Sequence, residues 1–106
     1  MSSPINVVIN QATATSVVIP VNRFGSPEYA IQISAGSALV EGTLTPVNRL
    51  NSETPVWSTL DDKSGLALTA VVLASGVVPI ENQALEAIRI TSTGTTTGRL
   101  VQQGDL

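Results

Sequence analysis

A chain of 106 residues is long enough for one domain with one modest core. Its net charge of −3 and its five scattered cations (Arg23, Arg49, Lys63, Arg89 and Arg99) argue against binding a nucleic-acid backbone or an anionic membrane. With no cysteine and no histidine it has no disulfide, lacks the usual base near neutral pH, and lacks the preferred ligands of zinc and copper.

The opening Met1-Ser2-Ser3-Pro4 has no basic region followed by an apolar stretch, so the expectation is a chain made and folded in cytosol. The first apolar run is Ile5 to Ile9; residues 1–10 are expected to form either an N-terminal arm or an edge strand, and residues 11–106 a single β-sandwich domain. Ser16 to Val21 follows, interrupted by Pro20. Tyr29, Ile31 and Ile33 then alternate with Ala30 and Gln32, the pattern of a half-buried strand. In Ala38 to Leu44 the residues Ala38, Val40, Gly42 and Leu44 share one face, with Leu39, Glu41 and Thr43 on the other.

A polar loop from Thr45 to Thr54 leads to an expected strand over Val56 to Leu60, and Asp61-Asp62-Lys63-Ser64-Gly65 reads as a turn. Leu66 to Leu73 is apolar all round, so periodicity does not separate a buried strand from a short buried helix. The flanking Ser-Gly pairs and Val71-Val72 favour a strand. The longest nearly apolar run, Leu66 to Ala74, is too short to span a membrane. Val77 to Ile80 reads as a further short strand, with Pro79 placing it at an edge or strand end. Finally Ala87 to Thr91, with Ile88 and Ile90 inward and Arg89 outward, a Gly/Thr turn at Thr93 to Gly98, and Arg99 to Gln103 predict a C-terminal β-hairpin.

These runs add up to eight or nine short strands with no internal repeat of roughly 20–50 residues. The fold class is therefore all-β: a two-sheet antiparallel β-sandwich, jelly-roll or immunoglobulin-like. Its core must be aliphatic, because Phe24, Tyr29 and Trp57 are the only aromatic residues. With 12% charged residues, 11 Ser and 12 Thr, its surface is neutral and suits a protein whose faces are covered in an assembly.

Catalysis finds few residues to use. No Ser-His-Asp or Cys-His arrangement can form, and a Ser-Lys pair would need Lys63, which sits in a charged turn. A paired-carboxylate glycosidase would want aromatic sugar platforms that are absent. Asp61-Asp62 lacks the spacing of a calcium loop, and Gly94 to Gly98 lacks the lysine and helix of a phosphate loop. The expectation is a non-enzymatic protein without cofactor or metal. Trp57 reads first as a core or sheet-edge anchor and second as an interface residue. Arg89 reads as a cross-strand partner to Glu or Thr, or as an inter-subunit contact. Tyr29 reads as a core-edge residue whose hydroxyl reaches solvent.

Two stretches carry a family resemblance. The first is Ala87-Ile88-Arg89-Ile90-Thr91-Ser92-Thr93-Gly94-Thr95 with Gly98-Arg99-Leu100-Val101-Gln102-Gln103-Gly104; the second is Val40-Glu41-Gly42-Thr43-Leu44 followed by Trp57. Together, over roughly residues 28 to 104, they resemble small β-sandwich virion proteins of tailed bacteriophages. The loop between Leu44 and Trp57 departs from the pattern in lacking an Asp-rich character. The resemblance implies a capsid decoration or cement protein that bridges capsomers, with a tail or head–tail connector component as the alternative. It transfers no catalytic residue. A non-catalytic carbohydrate- or host-surface-binding module is the remaining alternative. The implied partners are the major capsid protein or other virion proteins and further copies of the chain, as a dimer or trimer, with the virion as location. Expected contact residues are Ile5, Val7 and Ile9 in an arm, with Trp57 and Arg89.

Overall fold

The computed structural model describes residues 5–12, 15–21, 28–45, 54–81 and 85–102. Nine strands form two antiparallel sheets: β1 (Ile5–Gln11), β2 (Ser16–Pro20), β3 (Tyr29–Ala35), β4 (Ser37–Thr43), β5 (Ser58–Thr59), β6 (Val71–Val72), β7 (Val77–Ile80), β8 (Ala87–Ser92) and β9 (Thr96–Gln102). One sheet has the order β1-β9-β3-β7; the other has the order β2-β8-β4-β5, with β6 also pairing β4. The chain is thus a β-sandwich. The pairs β1–β9, β2–β8, β3–β7 and β4–β6 nest inside one another. That nesting is a long antiparallel hairpin rolled into two sheets, which makes the sandwich a jelly roll rather than an immunoglobulin-like one.

Alternation fills the interior. Ile31 and Ile33 of β3, Leu100 of β9 and Ile80 of β7 face Val40 of β4 and Ile88 and Ile90 of β8, all fully buried. Gly42 sits mid-strand because a Cβ there would press on the Leu60 and Leu85 side chains at 3.0 Å. Tyr29 is buried rather than at the core edge. Burial raises the pKa of its phenol, and a hydrogen bond with the Leu85 backbone offsets part of that rise.

The expected C-terminal hairpin does not form. β8 and β9 lie in different sheets, so Thr93–Thr95 is an inter-sheet corner. Its partner is the β3–β4 corner, made by Gly36 alone at φ 82°. A Cβ on Gly36 would collide with the Thr95 carbonyl oxygen and the Thr96 hydroxyl. Thr96 Oγ1 lies 3.0 Å from Ser37 O and 2.8 Å from Gly94 O, and the Thr93 N–H donates to Ser37 O at 3.1 Å. Ser92 ties in the β1–β2 connection: its N–H donates to Thr15 O, and its buried hydroxyl donates towards Ala12 O at 2.7 Å. A Gly/Thr run reads as a hairpin turn on composition, but here its hydroxyls satisfy carbonyls across the two sheets.

Three further expectations change. The strand around Val56 to Leu60 shrinks to Ser58–Thr59, and Leu44, grouped on one face with Ala38 and Val40, is 72% exposed while those two are buried. Leu66 to Leu73 is neither a continuous strand nor an α-helix. It contains a bridge at Ala67, the two-residue β6, and the start of a 3-10 turn at Leu73–Ser75. Its apolar residues divide between core (Leu68, Val71) and surface (Leu66, Val72, Leu73).

The 60–68 segment closes one side of the sandwich. Leu60 N–H donates to Val40 O at the edge of one sheet; beyond it, Lys63 N–H donates to Pro79 O and Glu81 N–H to Asp61 O at the edge of the other. Asp62 shapes this turn. Its Oδ1 accepts from Ser64 Oγ at 2.6 Å, Ser64 N at 2.8 Å and Leu66 N at 3.0 Å. The Ser64 hydroxyl first, then the Leu66 N–H, hold its carboxyl below the ordinary 3.8.

Two outcomes follow. Gly36→Ala costs about 3 kcal/mol in urea unfolding, since both the φ and the space are wrong, whereas Gly94→Ala, with open space around it, stays within about 0.5 kcal/mol. Because the folded Asp62 titrates low, its stabilisation is complete above the ordinary carboxylate value and is lost as pH falls through the folded value. An NMR titration of the Asp62 carboxyl will show a midpoint below 3.8, and Ser64→Ala will move it upward.

Candidate functional site

The outer face of the β2-β8-β4-β5 sheet carries one organised cluster. Register sets Val18, Arg89, Glu41 and Thr59 side by side across four strands. Arg89 donates to Glu41 Oε1 from Nη2 at 2.8 Å and from Nε at 3.1 Å. Its guanidinium lies over the Trp57 ring, 4.6 Å from the centroid. In the next row Ser16 and Thr91 join hydroxyls at 2.8 Å. The structure therefore brings together two residues nominated from sequence, Trp57 and Arg89, and adds Glu41. Arg89 was expected to have a cross-strand Glu or Thr partner, and the β4–β8 register identifies it as Glu41. With one ring face covered by a guanidinium that is itself paired, the cluster braces the sheet as well as offering a contact surface.

The opposite outer face, on the β1-β9-β3-β7 sheet, holds a shallow open depression of about 330 Å³. Its walls are Val8, Asn10, Gln32, Ser34, Thr97 and Arg99. Ser34 and Thr97 share a hydroxyl contact at 2.8 Å, and Arg99 Nη1 donates to Asn6 Oδ1 at 2.9 Å. A β-bulge at Ser34 and the missing side chain of Gly98 let the strands come together here; a Cβ on Gly98 would collide with the Gln32 carbonyl.

The third surface is the closing side. Leu66, Leu73 and Val77 are 68, 62 and 63% exposed, and Val72 is exposed on β6. Leu73 and Val77 flank the turn between β6 and β7, where Gly76 takes a positive φ of 70°. The apolar run was visible in the sequence, but as an all-apolar segment it read as buried.

The nominated β1 residues have different places. Ile9 is 1% exposed and packs in the core, and Val7 is partly buried against it, so neither is available on an arm. The Ile5 side chain lies outside the described residues, and the backbone of residues 5–11 is an edge strand. Among the described residues, no group of three or more Asp, Glu, His or Cys is placed to hold a metal ion. Among the described residues, no helix is long and apolar enough to cross a membrane. The chain matches no protein-family model, and no curated protein or solved structure matches it significantly. The likeness to phage virion proteins rests on its short motifs alone.

A double-mutant cycle on Trp57→Ala and Arg89→Ala, read by urea unfolding, will give a coupling of about 0.5–1 kcal/mol. Arg89→Ala alone will also alter Trp57 fluorescence, since its guanidinium lies against the ring.

Proposed function

We propose that this chain is a non-enzymatic structural subunit of a bacteriophage particle: a capsid decoration protein that docks through its closing side and stabilises the head by bridging capsomers. The observation that supports this reading is the set of large apolar side chains, Leu66, Val72, Leu73 and Val77, exposed between residues 66 and 77 on a charge-poor sandwich. Fully burying one such side chain contributes about 1.5–3 kcal/mol, so a few of them against the major capsid protein anchor each copy. A subunit that binds only the assembled shell shifts the shell towards that state by linkage. The particle class comes from the motif resemblance.

A second reading, a carbohydrate- or host-surface-binding module, draws on the depression lined by Asn10, Gln32, Ser34, Thr97 and Arg99, whose amides, hydroxyls and guanidinium suit a hydroxyl-rich ligand. Trp57 lies on the other sheet and would not report on binding there, so an Arg99→Ala or Gln32→Ala effect on glycan retention is the test of that reading.

The main test is cryo-electron microscopy of the purified particle together with co-sedimentation. The chain is expected on the head surface at capsomer boundaries. Leu66→Lys and Leu73→Lys should release it without changing its circular dichroism, because both positions are exposed. Density in the tail would move the assignment to a tail or connector component, and a particle without the chain would end the virion reading.

A further inference from the structure

Each sheet of the sandwich has two edges, and three of the four strand positions at these edges are protected against pairing. β7 carries Pro79 and receives the Lys63 N–H, β2 is five residues long and ends at Pro20, and β5 and β6 are two residues each. β1 is the exception. It runs seven residues, Ile5–Gln11, with no proline and no charged residue, and pairs β9 residue for residue without a bulge. Among the described residues no strand pairs with its other edge. A long, flat, uncharged edge is the kind that recruits another strand.

The sequence of that edge also indicates which strand. Asn6-Val7-Val8-Ile9-Asn10 is nearly the same read in either direction. Its outward residues are Asn6, Val8 and Asn10, all exposed, with Val8 at 60%; Val7 and Ile9 turn inward. An antiparallel pairing of β1 with itself, centred on Val8, sets like against like. Val8 meets Val8 of the second copy on the two-fold axis, and each Asn6, whose Oδ1 already accepts from Arg99, faces Asn10 of the other copy and can donate its amide N–H to Asn10 Oδ1. Inside, Val7 lies opposite Ile9 of the second copy and the two aliphatic cores run together. A one-residue slip would break all of these matches.

We infer that β1 is a homodimerisation edge: two copies join through β1 about a two-fold axis, fusing their four-stranded sheets into one continuous eight-stranded sheet. This inference does not depend on the particle reading. The side used is opposite the apolar closing side, so a dimer leaves Leu66, Leu73 and Val77 free to dock.

Sedimentation equilibrium of the full chain tests it. Wild type is expected to dimerise. Val8→Lys, which sets two ammonium groups face to face on the axis, should weaken the dimer by about ten-fold or more while leaving circular dichroism unchanged. Asn6→Lys/Asn10→Lys should do the same, and Asn6→Lys/Asn10→Glu, which pairs opposite charges in the same register, should keep the dimer. Because the chain has no cysteine, Val8→Cys should form a covalent dimer on mild oxidation, whereas Val18→Cys, exposed on the other sheet, should not. A wild type that remains monomeric, a dimer indifferent to Val8→Lys, or a closed trimer would each overturn the inference. None of these results bears on whether purified particles contain the chain, so the two readings fail separately.

Discussion

Where the β3–β4 and β8–β9 corners touch, the bare Cα of Gly36 leaves room for the Thr95 carbonyl, and the buried hydroxyl of Thr96 lies within reach of Ser37 O and Gly94 O. Two chain reversals from different sheets are fixed against one another there, and the Ser92 hydroxyl adds the β1–β2 connection through Ala12 O. All the strand pairings that define the roll extend from this end. Buried carbonyls at inter-sheet corners cannot be satisfied by ladder bonds, because the ladder stops where the chain changes sheet. Short hydroxyl side chains are the economical donors at such a place, which gives a structural reason for part of the chain's threonine and serine content.

With its corners fixed, the interior is built mainly from aliphatic side chains. Isoleucine, valine and leucine from alternating strand positions fill the space between the sheets, and Gly42 makes room for Leu60 and Leu85. Tyr29 is the only aromatic side chain placed in the core among the described residues. Buried polar side chains accompany these aliphatic ones, among them Thr43, Glu86, Ser92, Thr96 and Gln102.

The two long sides of the sandwich differ in kind. One is closed by the 60–68 segment, whose backbone bonds link the two sheets and whose surroundings display apolar side chains. On the other, no strand among the described residues pairs with the outer edge of β1, which carries exposed Asn6 and Asn10. Side-chain burial is non-directional and tolerates varied partners, while a strand edge demands a strand in register. A subunit equipped with both could pair with its own kind on one side and adhere to a larger surface on the other.

The alternation of Tyr29, Ile31 and Ile33 and of Ile88 and Ile90 was enough by itself to determine that the chain forms half-buried strands, and the scarcity of charge and aromatics determined an aliphatic sandwich. Period-two burial is a local property, so it can be seen in single segments. The path of the chain between sheets is not local. Thr93 to Thr95 makes a corner instead of a hairpin because Ser37 and Gly36, nearly sixty residues earlier, supply the carbonyl and the space it needs. For the same reason Glu41 met Arg89 only through register, and the apolar run from Leu66 to Leu73 divided into core and surface only once the closing turn had set its direction. Sequence determined which residues want burial; tertiary structure decided which of them obtain it, because burial depends on what the rest of the chain brings opposite.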